Sequence, residues 1–244
     1  MIAVKNVSLT LGTQSVLKNV SLTVPDSSTT VILGDSGSGK TTLLRLILGL
    51  YKPTSGAIEV AGQDITRLSE TKITAVRQRM GMVFQGAALF DSLSVRENVG
   101  YRLWEHHLMP DADIHRTVEE NLRFVGLGDA IDKMPAELSG GMRKRVGIAR
   151  ALASGASILL YDEPTAGLDP INTFAIGQLI ARLKTKGITQ VVVTHDLETA
   201  YRVADRIVMI GAGTVLFNGT PEELRTCTDR AVKAFLDPAS AVTA

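Results

Sequence analysis

Gly34-Asp35-Ser36-Gly37-Ser38-Gly39-Lys40-Thr41 matches the pattern G-x-x-x-x-G-K-[ST] at every fixed position. The flanks agree with it. Thr30-Val31-Ile32-Leu33 is a short apolar run of strand length, and Leu43, Leu46, Ile47 and Leu50 recur at the spacing of one helix face. Strand, glycine loop and helix form the arrangement that phosphate binding requires. Glycines let successive backbone N–H groups turn toward one anion. The helix N-terminus adds free donors and partial positive charge. Lys40 is expected to reach the β- and γ-phosphates, and the Thr41 hydroxyl to take a Mg2+ position. Gly34 through Thr42 are therefore the candidate phosphate-binding residues.

A chain of 244 residues, 45% hydrophobic and 21% charged, suits one large domain or a core with a subdomain. A net charge of +1 gives no overall field for nucleic acid or an anionic membrane. Cys227 is the single cysteine, which excludes an internal disulfide and fits a reducing compartment. The first residues lack a basic stretch followed by an apolar segment, so no signal peptide is expected. The longest apolar runs, near Ile158–Tyr161 and Val191–Val193, fall far short of the ~20 residues that cross a bilayer. Any membrane role is expected to come through a partner.

Residues 2–24 read as β structure, with Val16, Val20, Leu22 and Val24 alternating against polar neighbours. Pro25–Ser28 is a turn. The helix after the glycine loop ends near Gly49, and Ala57–Val60 is a strand. Thr71–Arg79 reads as a helix and Met80–Phe84 as a buried strand leading to Gln85. From Gly86 to Ala156 the β signal disappears, and Ile114, Val118, Leu122 and Val125 give a helical stripe. Alternation then returns: strand Ile158–Tyr161, helix face Ile176/Leu179/Ile180/Leu183, strand Gln190–Thr194, helix face Leu197/Ala200/Tyr201/Ala204. Two strands around Gly211–Gly213 follow. This pattern predicts an α/β fold with a largely parallel sheet. Pro238–Ala244 are expected to fray.

Ile158–Tyr161 ends in Asp162 and Glu163. Beside a phosphate loop, Asp162 is the candidate Mg2+ acid, acting through water because Mg2+ dehydrates reluctantly. Glu163 is the candidate base for an attacking water. Leu138-Ser139-Gly140-Gly141-Met142 opens another helix with Ser139 as N-cap. Arg143, Lys144 and Arg145 crowd its first turns, where cations oppose the helix dipole; an anion received at that end would account for them.

Taken together, these stretches resemble the nucleotide-binding subunits of ABC transporters over nearly the whole chain. Leu138–Met142 is similar to the family's L-S-G-G-Q signature, with Met142 in place of glutamine. Gln85 stands where the family's Q-loop glutamine couples metal and transporter. Ala166–Asp169 resembles the D-loop, and His195 the switch histidine that contacts the γ-phosphate. The resemblance implies a P-loop NTPase core with a mostly parallel sheet, an N-terminal antiparallel β part and an all-helical insert. Residues 1–85 and 157–244 would form the ATP-binding core, and residues 86–156 the helical subdomain. Where the family stacks an aromatic residue on adenine, this chain has Leu11, with Val16 nearby. That implies somewhat weaker adenine binding.

The resemblance further implies a head-to-tail pair of copies. Ser139, Gly140 and Gly141 of one would close on the ATP and Mg2+ held by Lys40, Thr41, Gln85 and Asp162 of the other. Gln85–Val99 and the Met142 variant are most like the ATPase subunits of Mla-type lipid transporters. The implied partners are an integral-membrane permease at the cytoplasmic face of the inner membrane, a mammalian-cell-entry-domain subunit and a STAS-domain protein. An ABC ATPase for another small-molecule cargo is the alternative reading. A soluble ABC protein acting on ribosomes or DNA fits less well with one cassette, no heptads and a charge of +1.

Overall fold

Buried on both faces, the five residues of β3 (Thr29–Leu33) explain the layering of the molecule. Strand side chains alternate, so Val31 and Leu33 enter one hydrophobic cluster and Ile32 enters another on the opposite side. The computed structural model describes residues 1–237. In it, β3 lies inside a six-stranded sheet with β6 (Met80–Val83), β7 (Ile158–Asp162), β8 (Thr189–Thr194), β9 (Arg206–Gly211) and β10 (Thr214–Gly219). The order is β10-β9-β3-β8-β7-β6, and only β10 runs antiparallel to its neighbour. The register pairs Leu33 with Thr194, Asp162 with Val193, and Val83 with Tyr161. The carboxyl ends of β3, β8, β7 and β6 therefore share one edge.

A second, antiparallel sheet has the order β2-β1-β4-β5, from β1 (Ile2–Leu11), β2 (Gln14–Val24), β4 (Ser55–Val60) and β5 (Gln63–Asp64). In β2, Val20, Leu22 and Val24 are buried while Asn19, Ser21 and Thr23 are exposed. Helix α1 (Lys40–Ile47) lies between the sheets and buries Leu43, Leu44, Leu46 and Ile47 in their shared core.

Helix α2 (Glu70–Arg77) is shorter than the periodicity predicts, because the chain turns before β6. Arg77 fixes that turn by donating to the carbonyls of Leu48 and Gly49. Between β6 and β7 come α3 (Val95–Glu105), α4 (Asp111–Phe124) and α5 (Gly140–Ala153), with two 3-10 turns. The segment 86–94 is loop rather than helix. Ser94 and Glu97 close a capping box at the start of α3. The α4 stripe Ile114/Val118/Leu122 packs with Val99, Leu103, Val146 and Ile148. The remaining helices are α6 (Pro170–Lys184), α7 (Leu197–Val203), α8 (Pro221–Arg225) and α9 (Arg230–Leu236). Helix α7 ends one residue before Ala204. The fraying expected for Pro238–Ala244 lies outside the described residues.

Candidate active site

The shared strand edge gathers the chemistry. The loop from Gly34 to Gly39 leaves the end of β3, Asp162 ends β7, Glu163 follows it, His195 follows β8, and Gln85 lies two residues past the end of β6. Ligands of open parallel sheets bind outside such carboxyl ends. A cavity of about 310 Å³ there is lined by Val16, Ser36, Gly37, Gly39, Lys40, Thr41, Thr42, Gln85, Glu163 and His195.

The loop is locked by its surroundings. Gly34 has φ +154°, and a Cβ there would collide with the Ile210 carbonyl, so only glycine fits. Lys40 is 6% exposed and its Nζ folds back to donate to the carbonyls of Gly34 and Asp35, each at 2.7 Å. Burial pushes the Lys40 ammonium below the usual lysine range, opposed by the charges of Glu163, Asp35 and Asp162. The Thr41 hydroxyl donates to Asp162 Oδ1 at 2.8 Å. This juxtaposes a hydroxyl and a carboxylate, the oxygen donors a hard cation takes. Among the described residues, the buried Ser38 Oγ has no hydrogen-bond partner, a costly state that an anion-binding loop accounts for.

Glu163 is held from several directions. His195 Nδ1 lies 3.0 Å from Oε1, and the Thr194 hydroxyl donates to Oε2 at 3.3 Å. Its backbone is left-handed, with φ +49°. For a non-glycine residue this is strained and must be over-determined by its neighbours. Thr194 carries no motif of its own; a polar side chain directly after the buried run Val191–Val193 is the signal the sequence offers for it. Asp196 caps α7, fixing the backbone just after His195.

Leu11 stands 42% exposed at the end of the β1–β2 hairpin, while Val16 is on the cavity wall. Ser139, Gly140 and Gly141 do not line the cavity. Ser139 is exposed and its Oγ accepts from the Met142 N–H at 3.2 Å. Met142 itself is half-buried against the helical core, so an apolar side chain is accommodated there. The side chains of Arg143, Lys144 and Arg145 go in three directions. Arg143 donates to the Leu138 carbonyl, Lys144 to that of Glu163 and Arg145 to that of Val125. Consecutive helical positions lie about 100° apart, so three adjacent cations cannot face one ligand.

With this geometry in place, the comparisons with known proteins decide the family. The ABC transporter family model matches residues 17–166. This chain belongs to the ABC transporter family. It is 40% identical over 238 residues to the intermembrane phospholipid transport system ATP-binding protein MlaF of Escherichia coli (strain K12), covering 97% of this chain and 88% of MlaF. It is 45% identical over 202 residues to the methionine import ATP-binding protein MetN of Bifidobacterium longum, covering 82% of this chain and 50% of MetN. Its fold superimposes with a TM-score of 0.82 on a dimeric, post-hydrolysis ATP-binding cassette, MJ0796, bound to ADP and Pi. The identity is 34%, over 91% of this chain and 99% of that one. The chain is thus an ABC ATPase with the α/β cassette fold. No described helix is long and apolar enough to cross a membrane.

Proposed function

We propose that the chain energises phospholipid movement between the inner and outer membranes by binding and hydrolysing ATP between two copies of itself. The observation that carries the paired arrangement is the placement of Ser139. It caps an exposed helix start and stays off the cavity formed by its own phosphate loop. A second copy, head to tail, brings that surface to the cavity, and the dimeric state of the MJ0796 cassette supports the pairing. ATP then favours the closed pair because only that pair contacts it from both sides, and its loss lets the pair reopen.

Within one copy, Gly34 to Thr42 cradle the phosphates and Lys40 swings from the Gly34 and Asp35 carbonyls to them. Thr41, Asp162 and Gln85 are the residues suited to holding Mg2+. When bound, the ion neutralises charge on the phosphates. Glu163 takes a proton from water as general base, and His195 orients it and senses the γ-phosphate. Leu11 and Val16 meet the adenine.

The 40% identity to MlaF across nearly the full chain supports the phospholipid reading. On this reading the protein sits at the cytoplasmic face of the inner membrane on an integral permease, with a mammalian-cell-entry-domain subunit and a STAS-domain protein as further partners. Likeness to MetN supports a second reading, an importer of another small molecule. Purification from membranes followed by identification of the co-purifying subunits separates them. A permease accompanied by a mammalian-cell-entry subunit is the expected result, and a permease with a periplasmic amino-acid-binding partner would overturn it.

A further inference from the structure

Helix α5 is capped by Ser139, the residue offered to a second copy, yet its second turn reaches back to Glu163 of its own chain. Lys144 is 5% exposed, and its Nζ donates to the Glu163 carbonyl at 3.0 Å. The same carbonyl accepts from the Ala166 N–H at 3.2 Å, and the Glu163 N–H donates to the Val193 carbonyl at 2.9 Å. Both peptides flanking a left-handed, non-glycine residue are thus clamped. Among the described residues, Lys144 makes no ion pair. Burial lowers its basicity, opposed by the charge of Glu163. A buried charge without a carboxylate partner is costly, and an apolar side chain of similar size would fill the space without that cost. Packing alone therefore does not account for a lysine here.

We propose that Lys144 is a positioning residue: from the signature helix it holds the Glu163 peptide in the left-handed conformation that aims the carboxylate at the phosphate-loop cavity. This rests on the reading of Glu163 as general base. A displacement of the start of α5 is passed to Glu163 of the same chain through this hydrogen bond.

The test measures ATP hydrolysis by the membrane-purified complex carrying Lys144→Met, Lys144→Gln or Glu163→Gln, with rates expressed per molecule that binds a fluorescent ATP analogue. Lys144→Met is expected to lower kcat by about tenfold to a hundredfold, the scale of a small misplacement of a catalytic group. KM should stay within about twofold. The melting temperature should hold or rise, because a buried charge has been removed. Lys144→Gln keeps a donor and should recover part of kcat. The proposal is overturned if Lys144→Met retains kcat within about twofold of the parent. It is also overturned if kcat, ATP affinity and melting temperature fall together, as loss of packing would give, or if Lys144→Gln is no better than Lys144→Met. Normal turnover by Glu163→Gln would remove the base reading itself. An inactive Glu163→Gln beside a normal Lys144→Met would overturn only the positioning.

Discussion

Two glycine-containing stretches, Gly34–Thr41 and Ser139–Gly141, stand at the starts of helices, and the molecule treats them in opposite ways. The first is enclosed: its lysine is buried, its threonine bonds a β7 carboxylate, and a Cβ at Gly34 would strike the Ile210 carbonyl. The second is presented: Ser139 is exposed, and Gly141 is tight only because α5 is pressed against Asn172 at the start of α6. A finished half-site and an offered half-site on one chain make sense when two copies complete each other.

The largest expected effect strikes the enclosed half. Glu163→Gln removes the proposed acceptor of the water's proton and should slow steady-state ATP hydrolysis by about 10²–10⁴-fold. Gel filtration should at the same time show an ATP-bound dimer that persists. Normal turnover would end the comparison, since the enclosed half would then lack its base.

Ser139→Arg strikes the presented half. Turnover should fall by about a hundredfold while ATP affinity stays within about twofold in direct binding. Lys40→Met should do the reverse and lose ATP binding. Mixing the two variants should restore turnover that neither shows alone, because one of the two composite sites is then intact. A mixture that stays inactive would break the idea of complementary halves.

A stability measurement sharpens the contrast from beneath. Gln190 is fully buried, accepts from the Tyr161 hydroxyl at 2.8 Å, and donates to Thr29 Oγ1 and the Ile180 carbonyl. Gln190→Leu orphans these groups beneath the enclosed site and should cost about 2–4 kcal/mol in urea unfolding. The α5 start should be unaffected, as seen by unchanged hydrogen exchange at residues 140–144.

The smallest effect concerns adenine. Leu11→Tyr restores an aromatic face at the hairpin end and should tighten ATP by about 1 kcal/mol in titration calorimetry. An unchanged affinity would leave Val16 as the apolar wall for the base.

The phosphate loop, the Asp162–Glu163 pair and the α/β alternation were legible because each is local: spacing and periodicity encode them within ten residues or fewer. The run Arg143–Arg145 carried no direction, because a linear cluster of charge does not say where each side chain points. Helical geometry sends the three side chains to three different carbonyls. Thr194 and Gln190 were missed because their partners sit on neighbouring strands, and no sequence spacing reports which strands become neighbours.

Residue order by itself determined the strand–loop–helix unit, the acid pair and the N-cap at Ser139, since backbone conformation and hydrophobic period are short-range properties. Tertiary structure alone decided that the ends of β3, β8, β7 and β6 align, that Thr194 and His195 flank Glu163, and that Lys144 grips its carbonyl. Those facts follow from sheet order and helix packing, which burial of two hydrophobic clusters sets over separations of many residues.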